Sequence, residues 1–171
     1  MTSIHDDFSH LDSDDPAAAL FNRAMAELTA GVADAAASAL DMRGVRRVVD
    51  VGGGWGQLLC RVLLRHADVQ GVLFDMAHAT QAMPEQMRAA GVAGRCELAA
   101  GSFFEAVPEG ANLYLLKSIL HDWDDARCSA ILRNCRRAMH PGAHMVVIER
   151  VAAERVLLLA GGFSAIEAAP M

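Results

Sequence analysis

The chain has 171 residues, 53% of them hydrophobic, and a formal net charge of −6; that length suits one domain with a substantial core and is short for two. Its fifteen Lys and Arg form no long basic run, which argues against nucleic acid as a partner, and no apolar stretch is long enough to cross a bilayer. The opening residues carry neither a secretory nor a transit pattern, and Cys60, Cys96, Cys128 and Cys135 lack the C-x-x-C spacing of a zinc site, so a soluble cytoplasmic protein with reduced thiols is expected.

The acidic stretch 1–15 reads as a flexible tail. Asp15-Pro16 then sets an N-cap before a proline at the first helical position, and the Ala-rich sequence that follows predicts a leading helical segment over 16–44, with a candidate break at Gly31. From residue 45 to 171 the character changes. RRVVDV (46–51), VQGVLFD (69–75), RCELAA (95–100), NLYLLK (112–117) and HMVVIE (144–149) are short apolar runs, separated by predicted helices at 57–66, 78–90 and 125–139. In the last helix Cys128, Ile131, Leu132, Cys135 and Met139 share one face, and His140-Pro141-Gly142 ends it. Buried strands alternating with helices specify an α/β fold, a mostly parallel sheet with helices on both faces, whose ligands lie outside the carboxyl ends of the strands.

VVDVGGGWGQ places Gly52, Gly54 and Gly56 in a G-x-G-x-G pattern between the first strand and its helix, where small residues allow a tight turn and close approach of backbone to ligand. A purely structural turn would use one or two of them. The dinucleotide fingerprint G-x-G-x-x-G fails at Gln57 and the Walker lysine is missing, so NAD and ATP lose ground. Asp50 closes the first strand and Asp75 the second. Both are expected to face the crevice, where a cationic ligand would match them and Asp75 could accept from both ribose hydroxyls of a nucleoside. An ordinary strand-end or helix-capping aspartate is the plainer alternative for Asp75.

YLLKSILHDWDD (114–125) delivers His121 into a cluster of Asp122, Trp123, Asp124 and Asp125. Taken alone, the cluster also fits a helix capped by aspartate with a surface histidine beside it. The set DVGGGWG, LFD, GSFFEAVP, YLLKSILHDWDD and MVVIER, in that order across Asp15 to Arg150, resembles the metal-independent, S-adenosylmethionine-dependent O-methyltransferases. That class contains plant caffeate and bacterial polyketide or carotenoid O-methyltransferases.

The resemblance implies a Rossmann-like class I methyltransferase fold and S-adenosyl-L-methionine as cofactor. Gly52, Gly54 and Gly56 would hold its methionine part, Asp75 its ribose, and Met76 would lie beside adenine. Ser102, followed by Phe103, stands where the family usually has an aspartate for the adenine amino group; a hydroxyl can accept that bond but carries no charge. Lys117 matches a family lysine at the cofactor, with a strand-end lysine reaching water as its alternative. His121 matches the general base that takes the acceptor hydroxyl proton during in-line attack on the sulfonium methyl, and imidazole can do so at neutral pH. Glu149 matches the carboxylate that orients it. Asp122 and Trp123, with Phe21 and Met25, are the expected acceptor-side residues, while Asp124 or Asp125 caps the following helix. No metal is called for. The expected activity is methyl transfer to a hydroxyl of a small aromatic or polyketide-like molecule; the alternative is a truncated or degenerate cofactor-binding domain with little activity unless a partner chain completes it.

Two departures stand out. The family's N-terminal helical dimerisation domain has no counterpart here, which argues against the family-type homodimer. After MVVIERV only AAERVLLLAGGFSAIEAAPM follows, too short for the family's usual crossover, so the C-terminal edge of the sheet is expected to be incomplete or rearranged, with a helical remnant leading to one last strand.

Overall fold

The five apolar runs form the strands of one sheet, and the inner three are almost wholly buried. The computed structural model describes residues 31–149; the predicted acidic tail, the leading segment up to residue 30 with Phe21 and Met25, and the stretch after Glu149 lie outside the described residues. In chain order the elements are helix α1 (31–39), β1 (Arg47–Val51), α2 (Gln57–Arg65), β2 (Gln70–Asp75), α3 (Glu85–Ala89), β3 (Cys96–Ala100), β4 (Leu113–Lys117), α4 (Asp125–Ala138) and β5 (His144–Ile148). All neighbouring strands pair in parallel, in the order β3-β2-β1-β4-β5.

Strand alternation divides the core in two. Val48, Leu73, Leu113 and Leu115 face α1 and α2, packing with Ala33, Ala37, Leu58, Leu59, Val62 and Leu63. Val49, Val51, Val72, Phe74, Tyr114 and Leu116 face the other way, against Ile131, Cys135 and Ala138 of α4. Each fully buried Leu or Val contributes about 1.5–3 kcal/mol relative to exposure, so the two apolar layers dominate the cohesion of the sheet. Parallel pairing sends every strand's carboxyl end to one edge, where the loops after β1, β2 and β4 begin and Glu149 follows β5.

The predicted strands are observed to within a residue or two at each end. The predicted helix over 78–90 is not: only Glu85–Ala89 is helical, and 76–84 is a series of turns. Pro84 is the reason. Its backbone is extended (φ −54°, ψ 137°), and the ring disfavours a helical Met83, so the helix begins only after it. At α4, Asp124 is the capping aspartate: its carboxylate accepts from the Arg127 N–H at 2.8 Å, while Asp125 lies in the first turn. Met139 has left the helix for extended backbone ahead of Pro141.

Tyr114, wholly buried in the middle of β4, anchors the α4 layer. Its hydroxyl donates toward the carbonyls of Pro108 and Ala138, both 3.0 Å away, and accepts from the Ala111 N–H at 3.4 Å. A hydroxyl has one proton to share between two carbonyls, so the bond is divided. Tyr114→Phe should therefore destabilise the fold by about 1–3 kcal/mol, the cost of stranding buried partners. Urea unfolding measures this, and an unchanged midpoint would show that the hydroxyl adds nothing.

Candidate active site

The turn after β1 is built around left-handed glycines. Gly52, Gly54 and Gly56 have φ of 67°, 52° and 69°. At Gly52 a side chain would also collide with Ile119, whose Cδ1 lies 2.5 Å from the position a Cβ would take. At Gly54 nothing lies within 4 Å of that position, so the space above the loop is open. The loop is fastened to the end of β2: the Gly52 and Gly53 N–H groups donate to the Phe74 carbonyl at 2.8 and 3.3 Å, and the Gly54 N–H donates to Asp75 Oδ2 at 2.8 Å. Asp75 Oδ1 accepts from the Met76 N–H at 2.7 Å. Met76 itself is 52% exposed beside this carboxylate.

Asp50 departs from expectation. It does not open onto the crevice but is only 2% exposed, paired in register between Leu73 and Leu115, with its carboxyl lying under Gly53. Alternation puts residue 50 on the α2 face, and the glycine loop folds back over it. Burial pushes its carboxyl up to about 7; the Leu59 N–H and the Lys117 charge oppose that rise, and the charge of Asp75 adds to it. Lys117, at the end of β4, is half-buried.

The loop after β3 supplies an aromatic wedge. Ser102 is half-buried, and its Oγ accepts from the Phe104 N–H at 3.3 Å. The Phe103 ring reaches the Gly52 turn, 3.5 Å from where a Cβ would stand. Phe103 and Phe104 meet edge to face at 4.9 Å between centroids, and Trp123 meets Phe104 at 4.8 Å and Phe103 at 6.2 Å. Arg127 lies over the Trp123 ring, 5.4 Å from its centroid, and buried Asn134 donates to the Phe103 carbonyl at 2.9 Å. Phe104, Arg127 and Asn134 were not singled out from sequence. Asn134, a polar residue beside Cys135 in the apolar stripe of α4, was the one visible signal.

His121 sits on a 3-10 turn, Leu120–Asp122, just beyond β4. Its Nδ1 is 2.8 Å from Glu149 Oε2. Glu149, following β5, is largely enclosed, and its Oε1 accepts from the Ile119 and Leu120 N–H groups at 2.8 and 2.7 Å. An ionised carboxylate only accepts, so the ring proton belongs on Nδ1 and the lone pair on Nε2. Asp122 Oδ1 lies 3.3 Å from Nε2, and both side chains are more than half exposed. Among the described residues no group of three or more His, Cys, Asp or Glu could hold a metal ion, and no helix is long and apolar enough to cross a membrane.

This strand order, a glycine turn after the first strand and an acid closing the second define the Rossmann-like class I methyltransferase fold. Residues 3–157 match the O-methyltransferase domain family, and the chain belongs to that family. It is 40% identical over 148 residues to O-methyltransferase SfmM3 of Streptomyces lavendulae, an alignment covering 86% of this chain and 44% of that protein. Among solved structures it is similar to LaPhzM, with a TM-score of 0.71 and 40% identity over 82% of this chain and 42% of the other. NcsB1, an O-methyltransferase from neocarzinostatin biosynthesis solved with S-adenosyl-L-homocysteine and 1,4-dihydroxy-2-naphthoic acid, gives 0.64 and 41% over 68% and 36%. The chain thus spans less than half the length of these relatives.

The buried carboxyl of Asp50 makes stability depend on pH in a defined direction. Its folded value of about 7 exceeds the ordinary 3.8, so between those values the unfolded chain releases a proton that the folded chain keeps. Stability therefore falls as pH rises from about 4 to about 7 and levels above, each unit of separation being worth about 1.4 kcal/mol. Asp50→Asn should remove this component. Urea unfolding of both proteins across that range tests it; parallel pH profiles would contradict a neutral buried Asp50.

Proposed function

We propose that this chain is an S-adenosylmethionine-dependent O-methyltransferase acting on a hydroxyl of a small aromatic or polyketide-like molecule. The observation that carries the reading is the His121–Glu149 pair, 2.8 Å apart, on the turn whose Ile119 abuts the Gly52 loop. The proposed base and the glycine loop thereby share one sheet edge.

The crevice residues fit the cofactor. Each oxygen of Asp75 binds one backbone N–H, and a carboxylate has about four lone-pair sites, so two remain for ribose hydroxyls. Open space over Gly54 accommodates the amino-acid part, exposed Met76 gives an apolar flank for the base, and Ser102 retains acceptor capacity for the adenine amino group. Lys117, at the end of β4, and Phe103, against the Gly52 turn, complete this side. When bound, the cofactor supplies an electrophilic methyl group on a sulfonium centre.

Everything else is asked of the chain. Glu149 holds the proton on Nδ1 and leaves Nε2 to accept the proton of the acceptor hydroxyl as its oxygen becomes nucleophilic. Asp122, exposed and at the longer distance, yields its place on Nε2 to that hydroxyl. A phenol of pKa about 10 is a suitable partner, because proton removal during attack raises its nucleophilicity. The Phe103, Phe104 and Trp123 edges give the acceptor side an aromatic wall.

Calorimetric titration with S-adenosylmethionine should give saturable one-site binding. Asp75→Ala should weaken it about 10- to 100-fold, the range for hydrogen bonds to a charged group, and an unchanged dissociation constant would contradict the ribose role. His121→Ala should lower turnover of a phenolic acceptor by about 10²- to 10⁴-fold with cofactor affinity unaltered. Turnover equal to the parent would remove the base from the mechanism. Cofactor binding with no methylated product across an acceptor panel would mark a binding domain instead.

A further inference from the structure

Among the described residues other than glycine, Ser118 has the single left-handed backbone, with φ of 57°. It stands between the end of β4 and the turn that carries His121. Ile119 follows in the right-handed region, at φ −109° and ψ −50°. A left-handed residue followed by a right-handed one turns successive N–H groups to the same side and makes a concave anion site. Here the Ile119 and Leu120 N–H groups converge on one carboxylate oxygen, while the Ser118 N–H bonds the main chain at the end of β5. Ser118 donates to the Ile148 carbonyl at 2.9 Å, and Ile119 and Leu120 both donate to Glu149 Oε1, at 2.8 and 2.7 Å.

The concavity has an occupant, the Glu149 carboxylate, held by backbone donors. Among the described residues the one ion-pair partner within 4.0 Å of that carboxylate is His121. Two consequences follow. Oε1, saturated by backbone donors, is fixed in place, and Oε2 is left directed at Nδ1 of the imidazole. Oriented backbone dipoles thus face Oε1, and Oε2 faces the imidazole.

We infer that Ser118 is a positioning residue: its left-handed backbone shapes the nest that holds Glu149, and through Glu149 it sets the tautomer and direction of His121. The effect on turnover rests on the proposed role of His121 as base; the effect on the tautomer does not. Serine tolerates this conformation at some cost, glycine adopts it freely, and a β-branched residue resists it strongly.

The test combines Ser118→Gly, Ser118→Val and Glu149→Gln, each examined in the full chain by ¹⁵N spectra of the His121 ring and by kcat and KM for a phenolic acceptor. Ser118→Gly should keep the Nδ1-protonated tautomer and a kcat within about twofold of the parent. Ser118→Val should give mixed tautomers and lower kcat about tenfold or more, with the cofactor dissociation constant unmoved, as misaligned reacting groups require. Glu149→Gln keeps Ser118 intact and serves if the valine variant fails to fold. The nest accepts only an oxygen, so the amide NH₂ must face Nδ1 and drive the ring proton to Nε2, inverting the tautomer and abolishing base function. Retention of the parent tautomer in either Ser118→Val or Glu149→Gln would overturn the proposal. So would equal loss in Ser118→Gly, which would assign the role to the hydroxyl. If the parent shows no methyl transfer, the proposed activity fails while the tautomer comparison still decides the nest.

Discussion

The bond from the Gly54 N–H to the Asp75 carboxylate, 2.8 Å long, ties the loop after β1 to the end of the neighbouring strand. The same device recurs across the sheet, where Glu149 beyond β5 accepts from the Ile119 and Leu120 N–H groups in the loop after β4. In both cases an acid on a flanking strand grips the loop of the inner one. β1 and β4 are the central neighbours, so their two loops are splinted from outside and meet in the middle, at the contact between Ile119 and Gly52. Loops at a sheet edge carry few such fastenings of their own, and these two acids hold both loops against their neighbours.

Three strand-end acids show how far placement outweighs residue type. Asp50 and Asp75 close adjacent strands and look alike in sequence. Asp50 lies on the α2 face beneath the glycine turn, away from water, and burial drives its carboxyl toward neutrality. Asp75 lies at the crevice, with one backbone N–H on each oxygen. Glu149 gathers two N–H groups and an imidazole. Backbone donors on a carboxylate favour its charged form, and apolar surroundings favour the neutral one. The sheet thus keeps a buried acid beneath the loop and presents its two well-solvated or well-bonded acids to either side of it.

Much of the fold could be read from the chain because parallel strands covered on both faces are continuous apolar runs, and Arg47–Val51, Gln70–Asp75 and Leu113–Lys117 are of that kind. That same continuity hid the orientation of Asp50: without polar alternation, an apolar run does not reveal which face a residue takes. Pro84 was visible, but its consequence was missed when 78–90 was read as one helix. Gly52 and Asp75 were singled out at the loop and the strand end, and His121 and Glu149 were paired through the family resemblance; the structure sets that pair 2.8 Å apart. The nest was not, since a left-handed serine leaves no mark in composition, and the acceptor of the Ile119 and Leu120 N–H groups, Glu149, comes some thirty residues later. Asn134 reaching the Phe103 carbonyl is equally a product of tertiary packing.

The imidazole at the centre of the proposed chemistry is held unequally at its two nitrogens. At Nδ1 the partner is 2.8 Å away, anchored by backbone and mostly enclosed; at Nε2 it is 3.3 Å away, on an exposed side chain of the same short turn. The enclosed acid fixes the orientation of the ring, and the exposed one leaves the Nε2 side facing solvent. The aromatic wedge reinforces the same edge, because Phe103 contacts the glycine turn on one side and Trp123 on the other, and Asn134 ties its backbone to α4. Ile119 and Phe103 both pack on Gly52, so the glycine loop is where the His121 turn and the aromatic wedge meet.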